Sequence, residues 1–233
     1  MNDEFAASES RGMGCVLLNI GSQEWDNLII KGCGDFGIGI SPRQCALLAR
    51  HAADLLAWNT KMNLTAITKP EDMALKHYID SLIPARFVPA GSKMLDIGSG
   101  GGFPGIPLKI LDPSLSLTML DSVRKKVSFL QYAIGSLSLR DTEALHARAQ
   151  DLCRQPAYAH AFDVVICRAL SALGDFAKLA LPFLKPGGRM IAMKGKISEE
   201  EIAPVREQLP VDVEKYSLPV SGAERTLLIM RAG

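Results

Sequence analysis

A cluster of small residues after an apolar run is the stretch of this sequence best suited to chemistry. The run at residues 94–97 is followed by Gly98, Gly100, Gly101 and Gly102. This pattern predicts a buried strand, a tight loop and a helix N-terminus, and glycine lets the loop backbone approach a ligand closely. Because open α/β sheets bind nucleotides at the carboxyl ends of their strands, the loop predicts a nucleotide-binding crevice.

The residue order in this loop separates two nucleotide-binding motifs. A literal G-x-G-x-x-G runs from Gly100 to Gly105, but the dinucleotide fingerprint has its first glycine directly after the strand. Counted from the strand end, Phe103 stands where the third glycine belongs. The stretch is better written D-x-G-x-G from Asp96, which resembles the first motif of class I S-adenosylmethionine (SAM) methyltransferases. The literal match keeps an NAD-binding oxidoreductase as an alternative.

A second acid follows at the spacing of a ribose-binding carboxylate. The largely apolar residues 117–120 end at Asp121, about 25 residues after Asp96. A carboxylate near this distance accepts hydrogen bonds from ribose hydroxyls in βαβ units. Asp121 or Ser122 could instead cap the next helix, and the two roles are compatible.

Other catalytic chemistries find little support in the sequence. The four histidines lack metal-ligand spacing, so we expect no metal. No G-x-S-x-G elbow and no Walker loop occurs. After the fourth predicted strand, Cys167–Ser171 lacks the D/N-P-P-Y loop used on exocyclic amines, and Cys167 lacks the setting of a cytosine nucleophile. Guanine N7 already exposes a lone pair and needs no general base, so it is an acceptor consistent with these absences.

The composition is that of an ordinary globular protein. The 233 residues are 22% charged and 48% hydrophobic, with a net charge of +1, so any nucleic-acid surface must be local. Five scattered cysteines predict reduced thiols in a cytoplasmic protein. The acidic N-terminus argues against a signal peptide, and no apolar run reaches the roughly 20 residues that span a membrane. We expect a monomer.

Periodicity predicts the elements that must position these residues. Residues 1–22 show no clear pattern and are predicted to be a disordered extension. Residues 23–90 are predicted to form a helical appendage, with capping boxes at Ser41–Gln44 and Thr68–Glu71. Strands and helices then alternate, so residues 91–233 are predicted to form one α/β domain, which the resemblance of the D-x-G-x-G motif implies is a SAM-dependent methyltransferase domain. Its fold class is α/β, a doubly wound, seven-stranded, mostly parallel sheet that closes with a hairpin.

Several sequence blocks, in their order and spacing, resemble one family over residues 24–231. The blocks are WNTKMNLT (58–65), HYIDS (77–81), DIGSG (96–100), FPGIPL (103–108), LDS (120–122), KKV (125–127), CRA (167–169), MKG (193–195) and ER (224–225). Together they resemble the bacterial ribosomal RNA small subunit methyltransferase G family (glucose-inhibited division protein B).

This resemblance implies an activity and a set of cofactor contacts. It implies transfer of a methyl group from SAM to N7 of guanine 527, in the 530 loop of 16S rRNA in the small ribosomal subunit. By the matching positions the cofactor contacts would be Gly98, Phe103, Ala149, Gln150 and Arg168. Members often carry an acid where Gln150 stands, and an amide can still bond to adenine. A SAM-binding module that acts on another substrate stays an alternative.

The residues themselves extend this predicted site. Asp96, Gly100, Asp121 and Ser122 are added as cofactor contacts because they stand at two strand ends. Arg168 follows the fourth strand and cannot act as a base, so its catalytic role would be positional; the alternative is a surface arginine paired with a carboxylate. The predicted RNA contacts are Arg124 and Lys125 at a helix start and Lys194 and Lys196 after the fifth strand, with a solvated helix face as the alternative for the first pair.

Overall fold

A seven-stranded sheet forms the centre of the computed structural model, which describes residues 18–168 and 172–232. The strands are β1 (Lys93–Ile97), β2 (Ser116–Asp121), β3 (Thr142–His146), β4 (Phe162–Arg168), β5 (Leu184–Lys194), β6 (Val211–Ser217) and β7 (Glu224–Arg231). Their order is β3-β2-β1-β4-β5-β7-β6; the first five are parallel and β7 is antiparallel to both neighbours. The predicted doubly wound, mostly parallel sheet is therefore confirmed.

Helices cover both faces of this sheet. They are α1 (Gln23–Gly34), α2 (Pro42–Met62), α3 (Pro70–Met73), α4 (Asp80–Leu82), α5 (Gly105–Leu111), α6 (Arg124–Ser136), α7 (Ala149–Leu152), α8 (Leu173–Ala180) and α9 (Glu199–Arg206). A π-helical turn, Ala74–Ile79, joins α3 to α4. Helices α1–α6 share a hydrophobic cluster with one sheet face, and α7–α9 share a second cluster with the other.

Local sequence signals explain how the N-terminal helices are placed. The Ser41 hydroxyl accepts from the Gln44 backbone while the Gln44 side chain accepts from the Ser41 backbone, which confirms the first capping box. Gln44 also donates to the Leu111 carbonyl at 2.8 Å, which fastens α2 to α5. The second predicted capping box is wrong, because α3 follows Lys69, which makes no side-chain cap bond.

The helical appendage shares its core with the sheet. Trp25 is fully buried and donates its indole N–H to the Pro70 carbonyl at 3.0 Å. The predicted disorder of residues 1–17 lies outside the described residues, whereas residues 18–22 form a packed segment in which Leu18 and Ile20 contact the core and Ser22 caps α1. The division into an appendage and a domain stays a prediction. Within the described ranges no helix is long and apolar enough to cross a membrane.

Candidate active site

The loop after β1 turns sharply because glycine stands where the backbone is left-handed. Gly98 has φ +76° and Gly102 has φ +87°. The Ser99 carbonyl accepts from the backbone N–H of Gly102 at 2.8 Å, which closes the turn ahead of α5. At Gly98 no described residue other than Gly98 and its two chain neighbours has a heavy atom within 4 Å of a Cβ position, so the backbone there faces open space that a side chain would fill.

That space belongs to a cavity of about 720 Å³ at the carboxyl ends of β1 and β2, here called the first cavity. Predicted cofactor residues from three separate parts of the chain line it, namely Gly98, Asp121, Ser122, Ala149 and Gln150. Apolar groups of Ile97, Leu120, Ala147 and Leu179 complete the wall. The cavity therefore combines a close backbone approach, a carboxylate and an apolar surface, as an adenosyl group requires.

Asp121 ties the two loops at this cavity together. Its carboxylate accepts from the Gly100 backbone N–H at 3.0 Å and from the Val123 N–H at 2.8 Å, and Lys126 lies 3.9 Å away. The N-cap of α6 is Val123, which has no side-chain cap bond, so neither Asp121 nor Ser122 is the N-cap. Gly100, a predicted cofactor contact, does not line the cavity and acts through this bond to Asp121.

Asp96 lies on the opposite face of β1 from the first cavity. Its side chain is fully buried and accepts from the Gly105 N–H at 3.0 Å. Burial raises the pKa of this carboxyl to about 7. A Cβ on Gly105 would lie 2.8 Å from the Asp96 carboxylate, so α5 packs closely on β1 only with glycine there. Asp96 thus supports the start of α5 through Gly105. The sequence predicts that Asp96 contacts the cofactor, but the structure places it outside the first cavity.

Phe103 and Arg168 lie together on that same face. The Phe103 ring stacks on the His77 imidazole at 4.3 Å, and the Arg168 guanidinium lies 4.9 Å from the Phe103 centroid. Arg168 donates to the Lys76 carbonyl at 3.0 Å and contacts His77 Nδ1 at 3.2 Å. Neither Phe103 nor Arg168 lines the first cavity, although both are predicted cofactor contacts.

The contacts of His77 fix its protonation state. Arg168 can only donate, so His77 Nδ1 accepts and Nε2 carries the hydrogen, facing the Thr65 hydroxyl at 2.8 Å. Burial and the Arg168 charge lower the pKa of His77 to about 3. His77 is therefore a neutral group that orients the arginine. His77 and Asp80 stand three residues apart, but His77 bonds to Thr65 and Asp80 accepts from Tyr216.

Arg168 lines a second cavity, of about 350 Å³, beyond the ends of β4 and β5. Four cations and one acid line it, together with His77: Lys76, Arg168, Lys194, Arg225 and Asp80. Ile97 pairs with Cys167, so Gly98 and Arg168 follow at adjacent strand ends, about 5 Å apart in the sheet. The two cavities therefore flank the same pair of strand ends.

The predicted RNA contacts fall at different places. Arg124 and Lys125 are exposed at the start of α6 and line neither cavity. Lys194 lines the second cavity and donates to Glu201 at 2.7 Å. Lys196 is 84% exposed, pairs with Glu224 at 2.9 Å and lines a neighbouring cleft of about 360 Å³.

Sequence reasoning missed the polar residues that join the second cavity to the end of the sheet. Asp80 accepts from the Tyr216 hydroxyl at 2.8 Å and lies 3.5 Å from Arg225 Nε and 4.0 Å from Arg168 Nη1. Burial raises the pKa of Asp80, against the opposing effects of Tyr216 and the arginines. Asp80 and Arg225 belong to resembling blocks, whereas Tyr216 gave no signal beyond the alternation of its strand. Across the described ranges, no three potential ligands cluster to hold a metal.

Solved structures share the fold of this chain. A SAM-dependent methyltransferase from Aquifex aeolicus superposes with a TM-score of 0.57 at 15% identity, covering 78% of this chain and 98% of that one. A predicted O-methyltransferase from Agrobacterium tumefaciens gives a TM-score of 0.56 at 18% identity, covering 66% and 80%. At such low identity these similarities concern the fold alone.

Sequence comparison gives the family. A family profile described as rRNA small subunit methyltransferase G matches residues 44–229. The chain is 41% identical over 214 residues to the ribosomal RNA small subunit methyltransferase G of Geobacter sp. strain M21, covering 89% of this chain and 98% of that protein. It is 39% identical over 209 residues to the protein of that name from Myxococcus xanthus, covering 88% and 96%. By sequence and fold together, this chain belongs to the rRNA small subunit methyltransferase G family.

Proposed function

We propose that this protein transfers the methyl group of SAM to N7 of guanine 527 in the 530 loop of 16S rRNA. Its family makes it a SAM-dependent rRNA methyltransferase, so the oxidoreductase alternative lacks support. The base, the atom and the position come from the resemblance and from the chemistry of the site. The observation that carries the proposal is the pair of adjacent cavities, one suited to an adenosyl group and one lined by cations.

The residues of the first cavity fit SAM. Asp121 would accept hydrogen bonds from the ribose hydroxyls with its remaining lone pairs, and Gln150 would bond to the adenine between the apolar groups of the wall. Gly98 would pass close to the methionine portion, because nothing fills the space beside it. SAM supplies an electrophilic methyl group on a positively charged sulfur.

The second cavity would receive the target guanine. The N7 lone pair forms the new C–N bond, the electrons of the old bond stay on sulfur, and the positive charge passes to the base. No proton moves, so the neutral His77 and the charged Arg168 need not exchange one. These residues would serve by holding the base, which is the main catalytic contribution that a reaction without acid–base steps leaves to the protein.

The RNA contacts would follow the basic groups near this cavity. Lys194 and Lys196 lie on the side where the base would enter, and Arg124 and Lys125 are free to contact a flanking strand. An unpaired loop guanine can be turned out into a pocket at modest cost. The enzyme would act as a cytoplasmic monomer on the small ribosomal subunit or its rRNA.

Methylation mapping tests this proposal. The purified protein is incubated with SAM carrying a labelled methyl group and with 16S rRNA or small subunits isolated from cells that lack the enzyme. We expect one labelled 7-methylguanine, at position 527, that is absent when that guanine is replaced by adenine. Label at another nucleotide, or none on either substrate, would refute the proposed target.

A further inference from the structure

Asp80 is the one acid among the described residues that line the second cavity. It comes from α4, whereas the arginines on either side come from β4 and β7. Only 4% of Asp80 is exposed, so its carboxylate is available to few partners besides these arginines and Tyr216. One buried carboxylate therefore contacts side chains from three separate strands, β4, β6 and β7, at the wall of a cavity.

The contact distances of Asp80 divide its partners into two kinds. The Tyr216 hydroxyl donates to Oδ1 at 2.8 Å, a normal hydrogen bond that fixes the carboxylate. Arg225 Nε at 3.5 Å and Arg168 Nη1 at 4.0 Å are attracted by its charge without a short bond. Both arginines are thus attracted to Asp80, and both line the cavity.

The two arginines need such an anion to stay together. Both are largely buried, with side chains 21% and 24% exposed, and their like charges repel each other. The other lining lysines have acids of their own, since Lys76 pairs with Asp72 and Lys194 with Glu201. Asp80 is therefore the acid at the cavity wall that offsets repulsion between Arg168 and Arg225, while Asp96 attracts Arg168 as well.

We propose that Asp80, fixed by Tyr216, is a positioning residue that holds Arg168 and Arg225 side by side against the target nucleotide. The inference rests on the proposed function, which places the guanine in the second cavity. An arginine bonded to both O6 and N7 would occupy the lone pair that must react. The pair must therefore contact O6 or a flanking phosphate, and Asp80 sets that orientation.

Steady-state and single-turnover methyl transfer to small-subunit RNA test this role in Asp80→Asn and Tyr216→Phe. At saturating SAM and RNA we expect Asp80→Asn to lower the rate at least about tenfold and Tyr216→Phe about threefold. SAM affinity and the KM for RNA should change less than about threefold. The double variant should be no slower than Asp80→Asn alone, because both changes act through one carboxylate.

A matched control separates positioning from folding. Asp163 on β4 also holds a cation, Lys185 at 2.7 Å, but at the opposite end of the sheet, so Asp163→Asn should keep the parent rate. If Asp80→Asn does not fold, Tyr216→Phe decides, since it removes a single hydroxyl. The proposal is overturned if folded Asp80→Asn transfers methyl at the parent rate. If Asp80→Asn does not fold, the parent rate in Tyr216→Phe overturns it. A variant whose KM for RNA rises while its saturated rate is unchanged also overturns it. Failure of the parent enzyme to methylate guanine 527 would instead refute the proposed function.

Discussion

The two cavities beside the ends of β1 and β4 are built in different ways. The first is shaped by backbone and by short loops at strand ends, with Gly98 and Asp121 as its principal groups. The second is shaped by long side chains from the N-terminal helical part and from three strands, joined by Asp80 and His77. A cofactor common to many enzymes needs only the former, whereas a particular acceptor needs a wall specific to it. Changes in the two cavities should therefore affect different steps.

The largest effect should come from Gly98→Val. A side chain there would adopt a strained left-handed backbone and fill the space for the cofactor, so SAM binding should fall beyond detection, more than about 100-fold. Gly187→Val is the matched control, because Gly187 has φ +73° and equally open surroundings away from both cavities. Calorimetry with SAM should find binding only in the control; equal affinity in both would remove Gly98 from the site.

Asp121→Ala should come next and should act on affinity. Losing charged hydrogen bonds to the ribose should weaken SAM by about 1.5–3 kcal/mol, which is roughly a 10- to 150-fold rise in Kd. The bond to Gly100 is lost as well, so the loop after β1 should loosen. Titration of SAM into the variant checks this prediction. A change in Kd of less than twofold would mean that Asp121 only connects the two loops and does not bind the ribose.

Arg168→Lys should affect the transfer step instead. A lysine cannot bond to the Lys76 carbonyl and His77 in the planar geometry of the arginine, so the single-turnover rate at saturating SAM should fall at least about tenfold, or about 1.4 kcal/mol. Arg189→Lys is the control, since Arg189 also donates to a carbonyl, that of Phe87, at 3.0 Å. If Arg168→Lys transfers methyl as fast as this control, Arg168 has a structural role only.

An effect of a different kind concerns the free energy of unfolding and its dependence on pH. The pKa of His77 is lowered to about 3 in the folded chain. Below about pH 6.5 the imidazole therefore binds a proton in the unfolded chain but stays neutral in the folded chain. The contribution of the neutral His77 to the free energy of unfolding is fully present above pH 6.5 and is lost as the pH falls from about 6.5 to 3. His77→Gln should therefore be less stable than the parent at pH 7.5, and the difference should narrow by about 1–3 kcal/mol at pH 4.5 in urea unfolding.

A second buried histidine checks the sign of that effect. Burial lowers the pKa of His51 to about 4. The difference in free energy of unfolding between the parent and His51→Gln should therefore also narrow on acidification, and this narrowing should be complete near pH 4. The raised pKa of Asp96 acts the other way, because its stability contribution falls as the pH rises from about 4 to 7. A difference between parent and His77→Gln that widens on acidification would contradict the buried, neutral imidazole.

The contrast between the cavities also explains what the sequence could predict. Gly98 directly follows β1 and Asp121 ends β2, so each is marked by the apolar run beside it, and local patterns revealed the loop, the second acid and the sheet. The grouping of Asp80 with Tyr216 and Arg225 depends on residues up to 145 positions apart, which only the packed sheet brings together. Strand alternation turns Arg168 to the face opposite Ile97 and Cys167, outside the first cavity, so the predicted contacts of Arg168 and Phe103 with the cofactor stay a prediction.

The most direct test of this division measures SAM affinity and saturated transfer rate in the same two variants. Asp121→Ala should bind SAM at least about tenfold more weakly yet transfer methyl within about threefold of the parent rate once SAM is saturating. Arg168→Lys should bind SAM within about threefold of the parent and transfer methyl at least about tenfold more slowly. Variants that lose affinity and rate together, in equal measure, would show one undivided site and contradict the account.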